Sequence, residues 1–272
     1  MGYSRKHHYE VEKELANRLR SADREARKAL YTELYDELFR RVPNHPMLAR
    51  KWSSANQAAE VRKQLALVKP YLSGSKSFLE IGPGDCSLSF AVSERVKSVT
   101  AVDVSHELTS TETMPSNFDL VIADGSSIPL PTESIDVAYS EQLVEHMHPE
   151  DAVAHFGDVF RVLKFGGTYL CSTPNRISGP HDVSKYFDRE ATGFHLKEYC
   201  YKDLLVELKK AGFSEFRAVI GTRGKYLTLP VTIALTFEWI ISFLPRAFAR
   251  LPGIRTALLV RLAARKIVCK GP

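Results

Sequence analysis

Two neighbouring stretches decide the reading of this chain: Ser77-Phe-Leu-Glu-Ile-Gly-Pro-Gly-Asp-Cys-Ser87 and Val99-Thr-Ala-Val-Asp-Val-Ser105. Phe78 to Ile81 is a short apolar run of the kind that forms a strand buried on both faces. It breaks at Gly82-Pro83-Gly84, and a helical pattern runs from about Ser87 to Val96. A strand that ends in a glycine turn and feeds a helix offers free backbone N–H groups to a ligand, and Gly82 and Gly84 let the backbone come close. Asp103 follows the next apolar run, Ser98 to Val102, which sets a carboxylate at the tip of the adjacent parallel strand. There it can accept hydrogen bonds from a ribose diol, so the pair of stretches reads as a nucleoside-cofactor site.

The residues also bear on which nucleoside. A dinucleotide fingerprint needs a third glycine where Ser87 stands. Glu80 brings negative charge toward the turn, which suits a cationic ligand with an amino-acid tail better than a pyrophosphate. The first stretch resembles the first motif of the class I S-adenosylmethionine (SAM) methyltransferases. Val102-Asp103-Val104-Ser105 resembles their ribose-binding motif. Within that class the chain looks most like the type 11 and ubiquinone-pathway O-methyltransferases, over roughly residues 55 to 220 and the last strand.

At 272 residues, 44% hydrophobic and 25% charged, the chain has room for one large α/β domain with additions. A net charge of +5, spread along the sequence, disfavours a general nucleic-acid binder. Cys86, Cys171, Cys200 and Cys269 are far apart, which argues against a metal knuckle or a disulfide framework and for reduced thiols in a cytoplasmic setting. Met1 to His8 has no apolar core for a signal peptide.

In chain order, residues 9 to 41 read as helix, with leucines and aromatics at three- and four-residue spacing, stopped by Pro43 and Pro46. Residues 1–54 therefore form a helical cap, either packed on the domain's flank or closing over the cofactor. Ala55 to Tyr71 is a second helix. Strands follow at Asn117–Ala123, Ser134–Ser140, Thr168–Thr173 and Phe213–Ile220, alternating with helices at Pro149–Leu163 and Tyr201–Ala211. Such alternation implies a mainly parallel, Rossmann-like sheet whose ligand lies outside the carboxyl ends of the strands. The resemblance implies seven strands, the last antiparallel, and a core over residues 55–221. It also implies that Asp124 accepts from the adenine amino group, although an Asx turn holding its loop is the bland reading. Glu80, Gly82, Gly84, Asp103, Val104, Asp124, Gly125, Ser140 and Glu141 are the expected cofactor contacts.

The chemistry is expected in Ser140-Glu-Gln-Leu-Val-Glu-His-Met-His148. This segment resembles the Glu-His segment of the ubiquinone-pathway enzymes. It also resembles that of small-RNA 2′-O-methyltransferases, where two glutamates and histidines hold a divalent metal. Glu145, His146 and the later His195 match that set, but Gln142 replaces its other glutamate, and an amide is a poor ligand for a hard cation. The reading is therefore no metal, with Glu145, His146 and His195 as weak candidates. Methyl transfer to a hydroxyl needs an aligned nucleophile and a base that titrates near neutrality. His146 is the expected base, or else a wall of the cofactor pocket, with His195 and Glu145 beside it. The long segment Asn175 to His195 reads as a substrate-recognition loop, with Arg176, His181 and Tyr186 as contacts.

Lys266–Pro272 resembles the last strand, so residues 222–263 would be an insert and 264–272 would close the core. Within that insert, Val231 to Leu244 would be about 21 Å long as a helix, too short for a ~30 Å hydrocarbon core. Arg246, Arg250, Arg255, Arg261 and Arg265 follow it. The insert reads either as a lid and dimer face or as an element lying on an anionic membrane surface. The favoured function is SAM-dependent O-methylation of a small-molecule, sugar or lipid-linked acceptor. The alternatives are a SAM-binding partner that transfers nothing, a metal-assisted RNA 2′-O-methyltransferase, and, as a minor reading, a dehydrogenase.

Overall fold

The computed structural model describes residues 3–46, 54–104 and 114–267. Met1, Gly2, Ser105 and Cys269 lie outside them. Two cap helices, α1 (Arg5–Ser21) and α2 (Arg24–Arg41), precede α3 (Ser54–Val68). The core then runs β1 (Ser77–Ile81), α4 (Ser87–Ser93), β2 (Ser98–Asp103), β3 (Phe118–Ile122), β4 (Ile135–Glu141), α5 (Pro149–Val162), β5 (Leu163–Thr173), α6 (Tyr201–Lys210) and β6 (Glu215–Thr222). A hairpin strand β7 (Lys225–Pro230), helices α7 (Val231–Ser242), α8 (Arg246–Ala249) and α9 (Pro252–Leu258), and β8 (Val260–Arg265) complete it.

The strands form one sheet in the order β3-β2-β1-β4-β5-β8-β6-β7. β1 to β6 share one direction, while β8 is antiparallel to both β5 and β6, and β7 is antiparallel to β6. The strand order reverses between β1 and β4, and the crevice beyond the carboxyl ends at such a reversal is where open α/β sheets hold ligands. Register levels the tips there: Ile81 pairs with Val102 on one side and Ser140 on the other, and Asp103 pairs with Ile122.

Alternation along β1 splits the core. Leu79 and Ile81 pack with α5 and α6 (Phe156, Val159, Leu204), while Phe78 packs with α3 and α4 (Leu67, Leu88, Val92). Because each face is covered by helices, the strands read as continuous apolar runs.

Three expectations are corrected. The expected helix over residues 9–41 is a helical hairpin, broken where Asp23 caps α2 by accepting from the Ala26 amide at 2.9 Å. Among the described residues the sheet has eight strands rather than seven, because Lys225–Pro230 doubles back on β6. The final antiparallel strand is Val260–Arg265, not Lys266–Pro272, so it uses residues assigned to the insert; Leu262 and Ala263 pair with Cys171 and Leu170. Residues 268–272 lie outside the described ones.

The cap sits over the ligand edge rather than on a distant flank. Val104 packs into the cluster of Leu15, Leu34 and Leu38, and a Cβ on Gly125 would come within 3.3 Å of the Tyr31 ring. A buried ion pair fastens it: Arg27 donates from Nε and Nη2 to Asp151, at 2.7 and 2.9 Å, at the first turn of α5. Tyr31 Oη donates to the same carboxylate at 2.7 Å and accepts from the His148 amide at 2.9 Å.

Candidate active site

The turn after β1 is built by backbone geometry. Gly82 and Gly84 have φ of +69° and +61°, the left-handed region that favours glycine. Among the described residues a Cβ on Gly84 would meet nothing within 4 Å, so the position serves the turn's open face and not packing. Asp103 braces this turn by accepting from the Gly84 amide at 3.3 Å, and it also accepts from the Val104 amide at 2.7 Å. A narrow cleft of about 80 Å³ lies between Gly82, Asp103, Val104 and Gly125, floored by Ile81, Ile128 and Met147.

The remaining expected cofactor contacts divide. Glu80 points to the other face of β1, where the Ser89 hydroxyl donates to it at 2.6 Å. Burial pushes its carboxyl up to about 8, so it supports the turn in largely neutral form. Asp124 accepts on Oδ1 from the amides and hydroxyls of Ser126 and Ser127, at 2.8–3.0 Å. Burial acts to raise its carboxyl, but these four donors hold it below the ordinary range. That is an Asx turn, and an adenine contact from Asp124 would have to use Oδ2. Ser140 is sealed in the sheet against Tyr169, 2.7 Å away, and lines neither the cleft nor the larger cavity beside it. Glu141 faces that larger cavity, where the Tyr139 hydroxyl donates to it and burial raises its carboxyl.

Among the cleft residues that the sequence does not point to, one titrates. His155, on α5, lines the same cleft, and its buried Nε2 has no hydrogen-bond partner among the described residues. Burial pushes its imidazole down to about 4, so it is neutral. It stands with Ala152, Phe156 and Val159 on the buried face of α5, a spacing that reads simply as core packing.

Beside the cleft opens a cavity of about 800 Å³, walled by Glu141, Gln142, His181 and His195 and by arginines of the C-terminal segment. Gln142 stands on its wall with φ of +51°. His195 Nδ1 donates to Glu198 Oε1 at 2.7 Å. Burial acts to lower the His195 imidazole, but Glu198, with Glu145 and Asp182 nearby, carries it above its ordinary value. Glu198 also accepts from the His181 amide at 2.6 Å. His181 Nε2 is bonded to the Asn175 carbonyl at 3.0 Å.

His146 stands edge-on to His195, with ring centroids 4.8 Å apart. Its Nδ1 is 3.0 Å from the Phe194 carbonyl, which can only accept, so the proton sits on Nδ1. Burial pushes His146 down to about 3. The Phe194 amide in turn donates to Glu12 at 2.9 Å, which ties the cap to this peptide. Glu145 is fully buried: Thr173 donates to Oε2 at 2.8 Å, Oε1 has no partner among the described residues, and burial pushes its carboxyl up to about 7. Ligand-type atoms of Glu145, His146 and His195 lie within 4.8 Å of one another. Of the other expected substrate contacts, Arg176 is bonded to Asp203 at 2.7 Å in an adjoining pocket. Tyr186 is exposed, 4.7 Å from the Arg5 guanidinium, and does not line the large cavity.

Comparison with known proteins agrees with this geometry. Residues 79–171 match the family model Methyltransf_11, described as a methyltransferase domain. Over 88 residues the chain is 38% identical to a protein of Mycolicibacterium smegmatis named as a SAM-dependent methyltransferase, covering 32% of each chain. Over 142 residues it is 29% identical to a similarly named protein of Mycobacterium tuberculosis, covering 51% of this chain and 49% of the relative. The chain thus spans about a third to a half of the length of the curated relatives it matches. The fold is similar to Haemonchus contortus phosphoethanolamine N-methyltransferase 1 bound to phosphoethanolamine and S-adenosylhomocysteine (TM-score 0.61, 12% identity, 92% of this chain and 51% of that one). It is also similar to a chain of the complex between the Haloferax volcanii Trm112 methyltransferase activator and a methyltransferase (TM-score 0.54, 15% identity, 78% and 91%). The family match falls on the stretch that builds most of β1 to β5 and their carboxyl edge, so residues 79–171 form a methyltransferase domain similar to that of proteins named as SAM-dependent methyltransferases.

Proposed function

We propose that the protein methylates a hydroxyl oxygen of an anionic acceptor held in the larger cavity, with His195 as the base. The donor set fits SAM: an open glycine turn for the amino-acid tail, Asp103 for the ribose diol, and an apolar floor with His155 for the adenine. Bound there, the cofactor supplies an electrophilic methyl carbon that needs alignment more than activation.

The observation that carries the reading is the His195–Glu198 pair on the cavity wall. Glu198 accepts from Nδ1–H, which fixes the tautomer and leaves Nε2 to take the proton of an acceptor hydroxyl. His146 serves this role less well, because burial leaves it too weak a base and it does not line the large cavity. It supports the rim instead, as a ring packed against His195. The cavity wall includes Lys63, Lys185, Arg223, Arg250, Arg255 and Arg261 against Glu60 and Glu141, a balance that favours a phosphate or carboxylate on the acceptor. Incubation with methyl-labelled SAM and a panel of anionic hydroxylated acceptors tests this. With wild-type protein the labelled methyl should appear in a methyl ether as S-adenosylhomocysteine is released, and His195→Ala should lose about 10²–10⁴-fold in kcat with SAM affinity kept. Transfer to nitrogen, or unchanged kcat in that variant, contradicts it.

A second reading is supported by the Glu145, His146 and His195 cluster, since two histidines and a carboxylate with an unpartnered oxygen are a ligand set known for zinc. Metal analysis of purified protein, with activity before and after chelation, separates it from the metal-free reading.

A further inference from the structure

We propose that the α7–α9 segment seats the protein on an anionic phospholipid bilayer, and that, given the methyltransferase reading above on which this step rests, the acceptor is an amphiphile drawn from that bilayer into the large cavity.

α7 has two unlike faces. Ala234, Glu238 and Ile241, at four- and three-residue spacing, are buried against the core. Glu238 is the latch: its carboxylate accepts from Asn175 Nδ2 at 2.7 Å and from the amides of Tyr201 and Lys202, at 2.7 and 3.2 Å, at the start of α6. With that charge turned inward, the outward face shows Ile233, Trp239, Ile240 and Phe243, and Phe248 and Leu251 continue it through α8. Trp239 is 63% exposed and Phe243 70%, where an ordinary surface helix would present polar side chains.

Charge chooses the occupant. From residue 222 to residue 272, Glu238 is the only acidic residue, while Arg246, Arg250 and Arg255 interleave with the exposed apolar residues. A basic, aromatic-rich segment whose one acid is turned inward complements an anionic lipid–water interface, where Trp and Phe enter the headgroup region and arginines meet phosphates. No helix among the described residues is long and apolar enough to cross a membrane, so this element lies on the surface. The same segment reaches the cavity: Arg250, Pro252 and Arg255 wall it, and Arg250 donates to the Gly179 carbonyl at 2.7 Å. The bilayer-facing side chains Phe248 and Leu251 are thus chain neighbours of the cavity wall, which gives a lipid headgroup a short path inward.

Vesicle co-sedimentation tests this, using phosphatidylcholine vesicles with and without phosphatidylglycerol, beside calorimetry with S-adenosylhomocysteine. Wild-type protein should bind the anionic vesicles at least about tenfold better than the neutral ones, with binding weakened by salt. Trp239→Ser/Phe243→Ser should abolish vesicle binding and leave S-adenosylhomocysteine affinity unchanged. Absence of vesicle binding, or binding that survives this double substitution, overturns the proposal. So does a wild-type dimer that the same substitution converts to monomer, because a second copy would then cover the face. Failure of the wild-type protein to bind S-adenosylhomocysteine would instead strike the methyltransferase reading, and the vesicle result would still decide the seating on its own.

Discussion

His195 Nδ1 lies 2.7 Å from Glu198 Oε1, and the same carboxylate oxygen takes the His181 amide at 2.6 Å. One buried carboxylate therefore orients a histidine on the cavity wall and anchors the loop that carries a second one. The raised His195 value has a functional sign. A base must be unprotonated to act, so the acid limb of kcat/KM should have its midpoint above the ordinary imidazole value of about 6.5. In Glu198→Gln the raising partner is gone, so the midpoint should move to lower pH while kcat falls. A midpoint that stays in place would mean that another group titrates.

The Arg27–Asp151 pair predicts how the cap is held. Arg27→Met leaves a buried carboxylate without its guanidinium, and should cost about 3–5 kcal/mol in chemical denaturation. Burial acts to raise Asp151, but Arg27 and Tyr31 hold it below its ordinary value. Its contribution is therefore complete above the unfolded value of about 3.9 and is lost as pH falls through the folded one. The wild-type protein should lose this increment on acidification below about pH 4, and the variant should not.

His155 predicts a modest, specific effect. His155→Phe keeps the helix's apolar packing but removes from the cleft wall the Nε2 that has no partner among the described residues. A net hydrogen bond of about 0.5–1.5 kcal/mol corresponds to up to about tenfold weaker S-adenosylhomocysteine binding by calorimetry. An unchanged affinity would assign His155 to packing alone.

Gly125 and Gly84 should separate strain from crowding. Both have positive φ, but a Cβ on Gly125 would also come within 2.9 Å of Val104 Cγ1 and press on Tyr31. Gly84→Ala should show the cost of backbone strain alone, about 1–3 kcal/mol. Gly125→Ala should be the more destabilised in thermal unfolding.

Much of this fold was legible because the glycine turn, the apolar strand runs and Asp103 are local signals, and register carries them to one edge. The final strand is hard to place from sequence because Arg261 and Arg265 continue the arginine series of the insert into Val260–Arg265. In fact Arg261 is buried, bonded to the Gly221 carbonyl at 3.1 Å and set over the Tyr226 ring. The cap's break is hidden because Leu19 and Leu30, eleven residues apart, stay in helical register across Ala22-Asp23, and only the Asp23 cap betrays it. At the site, Glu198 stands three residues after His195 in a stretch with no regular period, so its partner could be found only in three dimensions. Asp124 combines both of its readings from sequence: its position suggests a ligand contact, and its Oδ1 holds the Asx turn through the two serines that follow it.

The central claim is that the tips of β1 and β2 hold one adenosyl group, and calorimetry of S-adenosylhomocysteine with wild-type and Asp103→Ala proteins addresses it most directly. Saturable binding by the wild type and at least about tenfold weaker binding by a variant that still unfolds cooperatively is the predicted result. Equal affinity in the two proteins would contradict it.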